Sequence, residues 1–310
     1  MIPDTFARAT IAREGERGAA WLATLPALVA DLMERWQCEP DGAVTHGGVG
    51  LIVPVRQDQR DGRAAAAAVI KVSFPHPGNV AEPDAFEAWD GHGAVRLYAR
   101  ADEHFAMLLE RAHSDTLAEV ADNDEIALVA GRLSRRLAIP APPGLPRLSH
   151  RAGGWDESFR RDARELTHML APEAVAAALA TVHELGREQP DLVVHGDFHG
   201  RNILRAHREP WLAVDPKGYV GDPAYDAGTL LKARVRELAA ADRPEKAVQR
   251  MLEVFAEAAE LDPERVRRWA QFHAVDAAFW GRRHGFRIAR SGAELDGLTR
   301  LAEQLAELLT

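Results

Sequence analysis

A chain of 310 residues, 46 % hydrophobic and 27 % charged, has the apolar material for a substantial core divided into two lobes and the composition of a soluble globular protein. A formal net charge of −9 argues against a nucleic-acid partner, and the single cysteine, Cys38, excludes an internal disulfide or a cysteine-rich zinc site. The longest apolar run, residues 64–70, is mostly alanine and too short for a bilayer, and the first residues lack a secretion signal, so we expect a cytoplasmic protein with no membrane partner.

Residues 15–36 carry Trp21, Leu25, Leu28, Val29, Leu32 and Trp36 at near-helical spacing, which predicts one or two helices, with Pro26 opening the second or kinking the first. Residues 43–56 change to short β-prone runs around a glycine cluster. A turn at 57–62 then leads into a strand that ends Val69-Ile-Lys71-Val-Ser. A short helix closed by glycine is predicted over 81–93, with strands over 94–99 and 104–112. A helix over 122–139 is broken by the four prolines and one glycine of 139–148, and helices follow over 158–170 and 172–188. Three short strands come next, 191–195, 202–206 and 211–215. From Ala224 the chain is helical, with amphipathic stretches over 244–259, 263–281 and 293–309. This order is α+β: a sheet-rich first part (1–111) and a larger helical second part (112–310).

The chemistry is concentrated in His195-Gly-Asp-Phe-His-Gly-Arg-Asn202. Asp197 follows a predicted strand, Asn202 comes five positions later, and Asp215 ends another strand. Phosphoryl transfer needs such a set: a carboxylate that orients a hydroxyl and takes its proton, and oxygen ligands that hold Mg²⁺ on nucleotide phosphates. Lys71, flanked by apolar residues in a strand, suits a clamp on the α and β phosphates, with Glu82 or Glu87 as its partner and Glu82 preferred. The turn Thr45-His-Gly-Gly-Val-Gly50 lies where a phosphate-covering loop belongs, with Gly48 at its tip. Residues 107–112 read as a strand running into a hinge, where Leu109 would line an adenine pocket and backbone groups of Glu110 and Ala112 would bond the base. Two other classes compete with this reading. His195, Asp197 and His199 could serve as iron or zinc ligands, although the flanking glycines favour a turn over a strand. A nucleotide-binding module without turnover would have no need of Asp197.

Taken with residues 193–231, the Lys71 strand, residues 82–98 and residues 107–111, the chain resembles the aminoglycoside phosphotransferase family, in its streptomycin and hydroxyurea phosphotransferase branch. The resemblance implies a two-lobed protein-kinase-like fold, with an N-terminal antiparallel β-sheet lobe that binds nucleotide and a larger helical C-terminal lobe for catalysis and substrate. It implies transfer of the γ-phosphoryl group of ATP, sometimes GTP, to a hydroxyl with Mg²⁺. The expected acceptor is the 6-hydroxyl of streptomycin, giving antibiotic resistance, with hydroxyurea or another small polar metabolite as the alternative. By position it implies Asp197 as base, Asn202 and Asp215 as Mg²⁺ ligands, Lys71 as clamp and Glu82 as its partner, with His195 and Asp222 bracing the loop. Where the branch has His-Pro-Gly, this chain has His199-Gly-Arg201, which questions the loop geometry there. The acceptor would lie between Asp197 and the C-terminal helices, with Asp226, Glu237, His273, Asp276 and Trp280 as candidates. An acidic pocket would suit a cationic small molecule bearing guanidinium or ammonium groups.

Overall fold

Helix α1 (Asp4–Arg35) starts well before the stretch expected to be helical, and its one non-helical residue is Gly15, at φ 62° and ψ −137°. Pro26 lies inside α1 without breaking it, contrary to expectation. A proline forfeits one helical hydrogen bond, and the burial of Leu22, Leu25 and Leu32 along one face offsets that loss. The computed structural model describes residues 2–57, 66–166, 170–284 and 294–310, and the chain divides into two units, Met1–Ala112 and His113–Thr310.

In the first unit α1 leads into β1 (Cys38–Pro40), β2 (Thr45–His46), β3 (Gly50–Gln57) and β4 (Ala66–Ser73). The predicted turn beyond Gln57 lies outside the described residues. Helix α2 (Glu82–Trp89) follows, then β5 (Leu97–Ala101) and β6 (Ala106–Glu110). The strands form one antiparallel sheet in the order β1-β3-β4-β6-β5, with β2 also paired to β3. Alternation along the strands sends Leu51, Val53, Ile70, Val72 and Leu108 to one face, where they pack with Phe6, Leu22, Leu25 and Leu32 of α1. Lys71, Ile52 and Met107 stand in register on the other face. Helix α2 ends on Asp90 in the left-handed region, φ 45°, with Gly91 next at φ 79°. The expected glycine closure is therefore displaced by one residue, since aspartate tolerates this geometry.

The second unit is mostly helical: α3 (Asn123–Leu137), α4 (Ala152–Glu165) and α5 (Pro172–Thr181) precede the strands. Helix α4 begins six residues ahead of the expected start, because Ala152 and Trp155 are already buried. Two small antiparallel pairs come next. β7 (Leu192–Val194) pairs with β10 (Tyr219–Gly221), and β8 (Ile203–Arg205) pairs with β9 (Trp211–Ala213). β10 is absent from the sequence reading, and Asn202 closes a 3₁₀ turn, Gly200–Asn202, rather than opening a strand. Helices α6 (Tyr225–Ala233), α7 (Val235–Ala239), α8 (Pro244–Ala259), α9 (Pro263–His284) and α10 (Glu294–Leu308) complete the unit. Trp155, Phe159, Tyr225, Trp269 and Phe272 form an aromatic core that ties α4, α6 and α9 together, with ring centroids 4.9 to 6.4 Å apart. Among the described residues no helix is long and apolar enough to cross a membrane.

Candidate active site

In the first unit Lys71 is 5 % exposed toward the end of β4, and its ammonium pairs with the carboxylate of Glu82, itself 2 % exposed at the start of α2. Two charges this deeply buried persist only as a pair. Glu87 is exposed and bonded to Arg100 at 2.9 Å, which decides between the two glutamates. The glycine turn joins β2 to β3, with the Gly47 N–H donating to the Gly50 carbonyl at 2.9 Å. A Cβ on Gly50 would lie 3.1 Å from Ser73 Oγ and 3.4 Å from Lys71 Cε, so the turn passes close over the lysine stem. Gly48 has a negative φ and open space around its Cβ position, so the fold itself does not require a glycine there. Leu109 is buried on the face of the sheet that carries Lys71. The Glu110 N–H donates to the Arg96 carbonyl at 2.8 Å, which restricts the expected base contact of Glu110 to its carbonyl. Ala112 stands past the end of β6 with its N–H and C=O unpaired among the described residues.

In the second unit the loop after β7 turns at Gly196, φ 80°, where a Cβ would come within 2.6 Å of the Tyr219 ring. Backbone and side-chain bonds then bring Asp197, Asn202 and Asp215 to one place. Asn202 Nδ2 donates to the Asp197 carbonyl at 3.0 Å, and the Asn202 carbonyl accepts from Val214 N–H at 2.9 Å, so Asp215 is next to that bond. Asp215 has φ 59°, left-handed geometry that a non-glycine residue keeps only where its surroundings hold it. With Nδ2 of Asn202 engaged, its amide oxygen and the Asp215 carboxylate are the hard-oxygen groups here that could hold Mg²⁺ or Ca²⁺. The departure at Arg201 does not distort the loop. Arg201 is exposed with a negative φ, while Gly200 supplies the close approach, its Cβ position being 2.8 Å from Ala118 N.

His195 is fully buried. Its Nε2–H donates to the Val214 carbonyl at 2.8 Å and its Nδ1 accepts from Asp197 N–H at 3.3 Å. Both nitrogens are engaged, so His195 has no lone pair to offer and the metal reading of His195-Asp197-His199 loses one of its ligands. Burial pulls His195 down from 6.5 to about 4, against the nearby Asp197 charge. The unfolded chain therefore takes up a proton below about 6.5 that the folded chain refuses until about 4. Stability from this group is complete above that window and falls as pH drops through it, by about 3 kcal/mol in all. Urea unfolding at about pH 7 and about pH 4.5 should show this acid-sensitive share once the opposing titration of buried Asp226 is removed in Asp226→Asn, and not when His195→Gln is added.

The acceptor candidates separate. Asp226 is 2 % exposed and turned to the loop: its oxygens accept from His195 N–H at 2.9 Å and Gly196 N–H at 2.8 Å. Its expected place in an open substrate pocket is corrected by these bonds. Burial pushes its carboxyl up to about 7, while the two N–H bonds pull it down. Asp222 is also buried, and one of its oxygens receives Arg265 Nε at 2.5 Å and Trp269 Nε1 at 2.6 Å, which fastens the loop's return to α9. Glu237 is exposed on α7, its carboxylate 3.7 Å from Arg234. His273 is buried against Gly228, where a Cβ would lie 2.2 Å from its ring, so it packs α9 on α6. Asp276 and Trp280 are half-buried on one face of α9. Burial pushes the Asp276 carboxyl up, and Lys232 and Arg151 oppose this. The sequence reading missed the tether from Asp226 to the loop. An acid in the first turn of a helix is ordinarily assigned to its own helix, and no local pattern marks one that reaches elsewhere.

An antiparallel sheet carrying a buried lysine–glutamate pair, followed by a helical unit with this Asp–Asn–Asp loop, defines a protein-kinase-like small-molecule kinase. Solved structures share the fold. An amicoumacin kinase, hAmiN, solved with AMP-PNP, Ca²⁺ and amicoumacin, superposes with a TM-score of 0.57 at 11 % identity over 86 % of this chain and 87 % of that one. A choline/ethanolamine kinase family protein of Mesorhizobium loti gives 0.56 at 15 % identity, over 86 % and 88 %. Residues 35–285 match the family described as aminoglycoside/hydroxyurea antibiotic resistance kinase, and the chain belongs to that family. It is 37 % identical over 281 residues to a streptomycin 6-kinase of Streptomyces griseus, covering 90 % of each chain. It is 32 % identical to a hydroxyurea phosphotransferase of Kitasatospora aureofaciens, over 90 % of this chain and 79 % of that one. The protein is thus an antibiotic-resistance kinase, a phosphotransferase that uses ATP and a divalent cation to act on a small molecule.

Proposed function

We propose that this protein transfers the γ-phosphoryl group of ATP to the 6-hydroxyl of streptomycin, with Mg²⁺, in the cytoplasm where ATP is available. The observation that carries this reading is the 37 % identity to a streptomycin 6-kinase across 90 % of both chains. In this reading Asp197 orients the acceptor hydroxyl and takes its proton as the oxygen attacks the γ-phosphorus and the bond to the β–γ bridging oxygen breaks. Asn202 and Asp215 would hold the Mg²⁺, which supplies neutralisation of the phosphate charge when bound. Lys71, kept in place by Glu82, would hold the α and β phosphates, under a turn in which Gly48 allows close approach of a ligand. Leu109, the Glu110 carbonyl and Ala112 would receive the adenine. Asp226 and neutral His195 hold the loop and do not touch the reactants. Asp276 and Trp280 are assigned to the acceptor, a carboxylate and an aromatic face being suited to the guanidinium groups of streptomycin.

The test is ADP release by the purified protein with MgATP, and separately MgGTP, against streptomycin, other aminoglycosides, hydroxyurea and amino alcohols. We expect turnover with streptomycin and a product phosphorylated at the 6-hydroxyl by mass spectrometry and ³¹P NMR. Turnover confined to hydroxyurea would move the assignment to the second reading, which the 32 % identity to a hydroxyurea phosphotransferase favours. Turnover of an amino alcohol alone would remove both.

A further inference from the structure

We propose that Arg13 is a positioning residue of the nucleotide site: from α1 it holds the carbonyl of Gly48 and so sets the glycine turn. This rests on the reading above that the turn covers nucleotide phosphates. The first stretch of α1, up to the break at Gly15, touches residues 46–48 at β2 and the turn that follows it. Arg13 Nη1 donates to the Gly48 carbonyl at 3.0 Å, and its Nε is held by Glu14 at 2.7 Å. Two turns earlier, Thr5 Oγ1 meets His46 Nε2 at 3.1 Å, and the buried Phe6 ring lies 5.2 Å from the His46 ring. Three contacts from one helix thus converge on residues 46–48. This helix precedes residues 35–285, the segment that matches the family.

The turn has physical need of such support. Three of the four residues 47–50, Gly47, Gly48 and Gly50, are glycines, and nothing lies within 4 Å of a Cβ position on Gly48. A free glycine tip samples many conformations, and each phosphate bound beneath it would have to order it first. Arg13 removes part of that cost in advance. The guanidinium is also held at a cost to the fold, because its Nη2 is buried with no acceptor among the described residues. Its action is indirect. α1 packs on the face of Ile70 and Val72, and strand alternation puts Lys71 on the opposite face, so Arg13 reaches the nucleotide only through the Gly48 backbone.

Calorimetry of the full chain with AMP-PNP and Mg²⁺, and with adenosine, separates positioning from mere support. Arg13→Ala should weaken AMP-PNP about tenfold, the worth of one hydrogen bond from a charged donor, and leave adenosine unchanged. Arg13→Lys keeps a donor and should recover most of the affinity. If Arg13→Ala fails to fold, Thr5→Val at its exposed position carries the test, with a loss of about threefold for AMP-PNP alone. Equal losses for adenosine and AMP-PNP overturn the proposal, since they report a general loosening. So does unchanged AMP-PNP affinity in Arg13→Ala when Lys71→Ala loses it. Unchanged affinity in Lys71→Ala as well would locate the failure in the nucleotide reading of this unit.

Discussion

Asp197→Asn should leave a folded, nucleotide-binding protein whose phosphoryl transfer is slower by a factor on the order of 10² to 10⁴, the usual contribution of a positioned acid–base group. The geometry explains why the loss should be confined to chemistry. The loop is tied to Asp197 through its backbone: its N–H donates to His195 Nδ1 at 3.3 Å, and its carbonyl accepts from Asn202 Nδ2 and His199 N–H, both at 3.0 Å. The carboxylate, 35 % exposed, lies 3.7 Å from His199 Nε2. An asparagine of the same shape keeps each backbone bond and removes only the base. Single-turnover kinetics with a verified acceptor, beside AMP-PNP calorimetry and a melting curve, check this. A variant that transfers phosphate within tenfold of the wild type would take the base away from Asp197.

What was legible in the sequence is what is local in it. Asp197, Asn202 and Asp215 are close along the chain, and their spacing between short strands reports the loop directly. Lys71 was legible only together with the downstream motif, since lysines on strand faces are common, and its partner stayed open between Glu82, the preferred one, and Glu87 until the ion pair with Glu82 was seen. Contacts that depend on remote packing were not legible. Asp226 serves a backbone 31 positions away, and Arg13 serves one 35 positions away. Asp226 read as a candidate for the acceptor pocket, and Arg13 lay ahead of the stretch expected to be helical and drew no reading. The amino-terminal helix shows propensity overridden by burial. Proline disfavours a helix interior by about 3 kcal/mol and glycine by about 1 kcal/mol, so Pro26 was the expected breaker. The apolar face around Pro26 is buried against the sheet, whereas Gly15 is exposed, so the break falls at the weaker breaker with less burial to oppose it.

Asp226→Asn should separate what a buried carboxylate does for the reaction from what it does for stability. Burial moves its pKa from 3.8 to about 7, so holding the anion near neutral pH costs the fold about 4 kcal/mol. Asparagine avoids that cost but offers only one oxygen, and one N–H of His195 or Gly196 then faces an amide donor, a loss of about 1–3 kcal/mol. The two effects largely offset, and the urea midpoint should give a stability within about 2 kcal/mol of the wild type. The reaction has no such compensation: Gly196, at φ 80°, directly precedes Asp197, and its release displaces the base, which should lower kcat about 10²-fold. A loss of stability as large as the loss of activity would make Asp226 a fold residue only. The pH dependence gives an independent check. A carboxyl raised in the folded state contributes stability that is full below about 4 and is lost as pH rises to about 7, whereas His195 contributes stability that is lost as pH falls from about 6.5 to about 4. These neighbours act in opposite directions over nearly the same window, so each hides the other in the wild type. Asp226→Asn should expose the His195 slope, with stability rising from about pH 4 to about pH 6.5, and His195→Gln should expose the reverse. A hydrogen-bonded pair that resists pH in combination, and not singly, keeps the loop before Asp197 in one geometry wherever the fold survives.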